Sequence, residues 1–243
     1  MLSYLLFLLP TCGPAPSAPS DCHRLLTQAY RALTAFNASG EDGVLHLQMQ
    51  TESYYIPPGQ TKEQHSTSTI ESYAQGTRSA ILTSAGSTWQ DEQYTVTVIR
   101  PQKAIVIARS QSANPVTGAG TLLAMRDSLL QQGTIIACAP TPANVQVTYV
   151  KLKLSKKAVA LTKAESMEFW IDTRATTIQK FQVNYLPKRL QTRTLVRFVK
   201  QEHVAKAEAL LVSPRRQVLS ASGQLLPVYA GYRLVDQSQQ RPK

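Results

Sequence analysis

The chain has 243 residues, 43% of them apolar, and a formal net charge of +11. Length and apolar content suffice for a packed core, in one all-β domain or two small ones, and exclude a chain with nothing to bury. The surplus of Lys and Arg favours anionic partners: nucleic acid, acidic lipid headgroups or an acidic protein.

Met1 to Pro10, M-L-S-Y-L-L-F-L-L-P, is an apolar run too short to span a bilayer. Small and Pro-rich residues follow through Ser20. Residues 1–19 therefore read as a secretory signal peptide, although no positive n-region precedes the run. Leu9-Pro10-Thr11-Cys12 gives a second version, a lipoprotein signal in which Cys12 is acylated. Either version exports the chain, to the periplasm or to a membrane anchor in the cell envelope, and removes nucleic acid from its partners. Cys22 and Cys138 then remain. They either pair across a long loop or stay as two buried thiols.

Ser20 to Phe36 has helical spacing, with Leu26, Tyr30 and Leu33 on one stripe and Ser20 as N-cap. Asn37 to Gly40 end it, and Asn37-Ala38-Ser39 matches a glycosylation sequon. From Val44 the period becomes two: Leu45, Leu47 and Met49 alternate with polar residues towards Tyr55. Ile56-Pro57-Pro58-Gly59 breaks the strand. A polar strand follows from His65 to Tyr73, then strands over Arg78–Thr83, Trp89–Asp91, Tyr94–Ile99 and Ala104–Ala108. The last is apolar throughout and reads as a central strand covered on both sides. Ser110 to Gly120 is a loop, and Thr121 to Gln132 a second helix with Leu122, Leu123, Leu129 and Leu130 on its stripe.

Beyond Pro140 and Pro142, Val145, Val147 and Tyr149 hold one parity and Val150, Leu152 and Leu154 the other, which predicts a bulge near Tyr149-Val150. Glu165 to Tyr185 is a hairpin. Met167, Phe169 and Ile171 alternate on one arm, Phe181, Val183 and Tyr185 on the other, and Asp172–Thr176 supplies the turn. Arg193–Lys200 is another strand, and Glu202–Leu211 is ambiguous between helix and strand. Gln217–Ser220 and Tyr229–Asp236 read as the last strands, with Gln237–Lys243 a frayed tail. Residues 20–236 thus form a single α+β domain. Its sheet is curved and mainly antiparallel, an incomplete barrel enclosing helices.

This order resembles the periplasmic lipoprotein carrier and acceptor family (LolA/LolB-like). The matching pieces are Trp89-Gln90-Asp91-Glu92-Gln93-Tyr94-Thr95-Val96, Pro101-Gln102-Lys103-Ala104-Ile105-Val106, and the F-W-I-D-x-x-T-x-x-I-x-K-F pattern within Met167–Phe181. The tail Tyr229-Ala230-Gly231-Tyr232-Arg233-Leu234-Val235-Asp236 is similar to Bacteroidetes-type relatives. The resemblance implies an incomplete barrel whose concave interior takes lipoprotein acyl chains, and a pocket-facing arginine whose region here holds Arg78. Candidate lining residues are Leu45, Leu47, Met49, Val96, Val98, Phe169, Ile171, Phe181, Val183 and Tyr185. Equally, they can be plain core packed on Leu26, Tyr30, Leu33, Leu122 and Leu129.

His23, His46, His65 and His203 show no metal-ligand spacing, no nucleophile elbow appears, and Asp91-Glu92 are adjacent in a turn. No enzyme and no cofactor is therefore expected. Lys151, Lys153, Lys156, Lys157, Lys163, Lys188, Arg189, Arg193, Arg197, Lys200, Arg215 and Arg216 cluster late. They read either as a solvated sheet face or as a dock for an anionic membrane surface or an acidic envelope protein. The expected function is a carrier or acceptor of lipid or lipoprotein acyl chains. The alternative is an envelope scaffold or interaction module with a filled interior.

Overall fold

The computed structural model describes residues 19–35, 43–110, 133–187, 189–204 and 210–238. The export signal with Cys12, the sequon and the predicted helix Thr121–Gln132 lie outside the described residues.

Helix α1 spans Pro19–Ala35. Among the described residues twelve strands form one sheet in the order β12-β6-β5-β4-β3-β2-β1-β11-β10-β9-β8-β7. Their ranges are β1 Val44–Tyr55, β2 Gln64–Gln75, β3 Arg78–Thr83, β4 Gly86–Gln90, β5 Tyr94–Ile99, β6 Ala104–Arg109, β7 Thr134–Thr141, β8 Asn144–Lys153, β9 Ala164–Asp172, β10 Thr177–Tyr185, β11 Gln191–Val204 and β12 Arg233–Asp236. Two meanders, β1 to β6 and β7 to β11, are sewn together where β1 pairs antiparallel with β11. Every pairing is antiparallel except β12 on β6. The end strands β12 and β7 do not meet, so the sheet is an incomplete barrel.

Alternation gives the sheet two faces. The front face carries the rows Cys138–Val150–Phe169–Phe181–Val196 and Ile135–Leu152–Met167–Val183 across β7 to β11. Helix α1 lies on this face against β7, β9 and β10, burying Leu26, Ala29 and Tyr30 in one core with these residues. A second core lies on the back face of the other half. There Ala80, Trp89, Val96, Val98, Ile105 and Ile107 pack under Leu211, Val218 and Leu219. The cover is a 3-10 helix, Pro214–Gln217, seated on β4 and β5.

Several expectations are corrected. No bulge occurs at Tyr149-Val150: β8 pairs without a shift from Val147 to Lys153 on β9, and its irregularity against β7 lies earlier, between Asn144 and Thr148. Beside Lys151-Leu152 the extra residue is on the opposite strand β7, Ile136, and Val147 is buried at the margin of the back face. Strand β7 and a short helix α2, Lys156–Thr162, were not foreseen; Ser155 caps α2 by accepting from the Ala158 amide. β6 is not central but next to last. The strand expected over Trp89–Asp91 begins earlier, at Gly86, where a Cβ would stand 2.1 Å from the Val98 carbonyl oxygen. Only glycine lets β4 approach β5 that closely. Gln217–Ser220 is not a strand: Val218 and Leu219 close the 3-10 turn, and Leu219 makes a lone bridge to Leu225. Of Tyr229–Asp236 only the last four residues pair, and a 3-10 helix, Pro227–Tyr229, precedes them. Order continues past Asp236, since Gln237 donates to the Ile107 carbonyl and the Ser238 carbonyl accepts from Arg109.

Candidate lipid-binding face

The front face is held to α1 by a covalent bond: the Cys22 and Cys138 sulfurs form a disulfide across 116 residues, with Cα atoms 6.4 Å apart. Cys138 reaches the front because it pairs with Val150. Beneath the helix an aromatic run crosses four elements. Tyr30 meets Phe169 edge-on at 5.6 Å, Phe169 lies 6.3 Å from Phe181, and Phe181 lies 6.1 Å from Phe198. Burial pushes the Tyr30 phenol far above its ordinary range. This part of the face is filled by protein.

The residues singled out from sequence do not all gather there. Met49, Phe169, Ile171 and Phe181 are buried in the α1 core, with Val183 and Tyr185 half-buried at its margin. Leu45 and Leu47 share the front parity and are also buried. Val96 and Val98 point to the back face, into the second core. Arg78 is exposed at the start of β3. His46 is buried, with its Nδ1 3.0 Å from the accepting Glu202 carboxylate and its ring stacked on Tyr73 at 4.5 Å.

Open space begins where the front face meets one end of the sheet. A cleft of about 450 Å3 is lined by Ile56, Pro58, Tyr185, Leu186, Leu190 and Thr192, with Pro187 and Arg189 at its rim. It is built by two connections, β1–β2 and β10–β11, held together when the Ile56 amide donates to the Leu190 carbonyl at 2.8 Å. Of the sequence candidates, Tyr185 alone lines it. The other lining residues lie in connections, where Pro57, Pro58 and Pro187 interrupt the strand pattern and no alternation marks a face. The usable signal was the apolar side chain lodged beside each break, Ile56 before Pro57 and Leu186 before Pro187. A smaller groove of about 230 Å3 lies on the front of β3 to β5, between Ile81, Thr83, Thr88, Thr97 and Ile99.

Among the described residues no group of three or more His, Cys, Asp or Glu side chains could hold a metal ion. No described helix is long and apolar enough to cross a membrane.

An open, mainly antiparallel sheet with a helix on one face agrees with the incomplete barrel that the sequence resemblance implied. No known family profile matches the chain, and no curated protein does. Solved structures similar to it include an uncharacterized conserved protein from Thermus thermophilus (9% identity, TM-score 0.46, covering 89% of this chain and 99% of that one). A LolA superfamily protein from Nitrosomonas europaea is similar at 6% identity and TM-score 0.35, over 81% of this chain and 99% of that one. A putative outer membrane lipoprotein-sorting protein domain from Vibrio parahaemolyticus is similar at 9% identity and TM-score 0.30, over 76% and 97%.

Proposed function

We propose that this chain is a non-enzymatic protein of the cell envelope that binds a lipid or lipoprotein acyl chain, as carrier or acceptor. The observation that carries this reading is the cleft of about 450 Å3 at the end of the front face. That volume falls inside the range of small-molecule sites, about 300–1,000 Å3. Its wall is mostly aliphatic, and each methylene moved out of water contributes about 0.8 kcal/mol. Roughly ten methylenes would then contribute on the order of 8 kcal/mol before ordering costs are subtracted. Arg189 at the rim offers a cation to an anionic head.

The test is native mass spectrometry of the purified chain after incubation with extracted envelope lipid. Retained lipid is expected. Leu186→Asp should abolish retention while circular dichroism and the melting temperature stay close to the parent. A parent protein that retains nothing sinks the proposal.

A second reading, an envelope scaffold with a filled interior, is favoured by one observation. Leu26 and Ala29 of α1 are fully buried against the front face and occupy the room a ligand would need there. On that reading the cleft stays empty of lipid.

A further inference from the structure

Register places three connections at the same end of the sheet. The β8–β9 connection leaves beside the Lys153–Ser166 pair, β10–β11 beside Asn184–Arg193, and β1–β2 beside Tyr54–His65. These pairs form one row, because Ser166 pairs with Asn184 and Arg193 with Tyr54. Helix α2 and both walls of the cleft therefore share one end of the molecule. Two large aliphatic side chains stand out into solvent there: Leu161 of α2 is 75% exposed and Leu190 is 57% exposed. The same connections and the strand ends beside them carry Lys62, Lys153, Lys156, Lys157, Lys163 and Arg189, all exposed. The one carboxylate among the described residues of these connections is Glu63, already engaged by Arg193 at 3.0 Å and by Thr192, and Glu165 follows at the start of β9.

Exposed leucines beside a surplus of cations are what an anionic bilayer surface takes up: acyl boundary for the leucines, headgroup phosphates for the lysines. An acidic protein would match the charge but would not require aliphatic side chains at the tip. We propose that this end docks onto an anionic lipid surface, with Leu161 and Leu190 dipping below the headgroups. The mouth of the cleft then faces the bilayer. Docking of this kind stands whether or not the cleft holds an acyl chain.

The test is flotation of the purified chain with vesicles of phosphatidylcholine alone and of phosphatidylcholine with phosphatidylglycerol. Binding is expected only with phosphatidylglycerol, and it should fall as salt is raised. Leu161→Asp should lower the partition coefficient about tenfold. Lys156→Glu with Lys157→Glu should lower it at least about tenfold. Arg174→Glu, a charge reversal in the β9–β10 turn at the opposite end, should leave it unchanged. Leu161 does not line the cleft, so Leu161→Asp should still retain lipid in native mass spectrometry if that separate proposal holds. No binding to phosphatidylglycerol vesicles overturns the docking proposal. So does binding that Leu161→Asp leaves untouched, which would reduce it to attraction of the lysines by the headgroups with no leucine inserted.

Discussion

Leu195 is 8% exposed although its row on the back face is otherwise polar, with Gln182 on one side and Glu52 on the other. Its same-face neighbours along β11 are Arg193 and Arg197, whose alkyl stems can cover it while their charged heads stay wet. Those heads are placed by partners: Arg197 donates to Glu52 at 2.8 Å, and Arg193 lies 3.9 Å over the Tyr54 ring. Lys180 completes the surface, 4.0 Å over Trp170, and burial followed by the nearby Arg197 charge lowers its pKa. The folded state therefore holds this proton less tightly than the unfolded chain. At neutral pH, below both values, the strain on charged Lys180 is present; it is relieved as pH rises through the window below 10.5. Arg197→Ala should move the Lys180 titration upward in an NMR pH series, part of the way back, since burial remains. The front face behaves differently. Phe169 is fully buried between Tyr30 and Phe181, so Phe169→Ala should cost about 3–5 kcal/mol in urea unfolding. Its burial was legible from alternation alone. The covered leucine on the polar face was not, because nothing in a one-residue window shows which long neighbours fold over it.

At the scale of elements, α1 is amphipathic and its helical spacing was readable, but its place is fixed from far away. The disulfide from Cys22 to Cys138 closes a loop of 116 residues, and a closure of that length stabilises by about 4–5 kcal/mol in the chain-entropy account. Cys138→Ser with Cys22→Ser should lower stability by about 2–5 kcal/mol, and hydrogen exchange should quicken first in α1. Equal protection of α1 in both proteins would show that packing alone holds the helix. The elements hidden from sequence share a cause: each is short or interrupted. Strand β7 contains Pro140 and the bulged Ile136, which break its alternation. Helix α2 has seven residues, fewer than two full turns of pattern. Strand β12 has four residues and is made by tertiary contact. Arg215 of the 3-10 helix reaches its Asp236 at 3.3 Å. Burial alone would raise the pKa of Asp236, but hydrogen bonds from Ser238 and the charge of Arg215 outweigh it and hold the carboxyl below its ordinary 3.8. This contribution is fully present above that value and is lost as pH falls through the lower folded one. Asp236→Asn should therefore weaken β12 at neutral pH and make no difference in strong acid, read by exchange of the Val235 and Asp236 amides.

Across the whole molecule, one sheet serves two cores on opposite faces. Strand β1 belongs to both: Val44 joins the back core and Met49 the front one. A run such as Val44-Leu45-His46-Leu47, buried at every position, could not be assigned a single face from its sequence. The concave interior expected to be lined by Val96 and Phe169 together is therefore divided, with Val96 in the back core and Phe169 in the front one. Between the halves lies the β1–β11 ladder, with Val199 bulged out of it where Met49 pairs with Phe198 and Gln48 with Lys200. Val199 is 58% exposed as a result. The halves share this backbone seam, whereas their side-chain cores are separate, and separate cores open separately when one is weakened. Ile105 is fully buried in the back core and touches nothing in the front one. Ile105→Ala should cost about 2–5 kcal/mol and accelerate native-state hydrogen exchange in β4, β5 and β6. Amides of β8, β9 and β10 should keep their protection, because the front core with α1 and its disulfide is untouched. Ile171→Ala should reverse the pattern. If either substitution instead lowered protection evenly over all strands, the seam would be coupling both cores into one cooperative unit. The two-core description would then hold for the geometry but fail for the energetics.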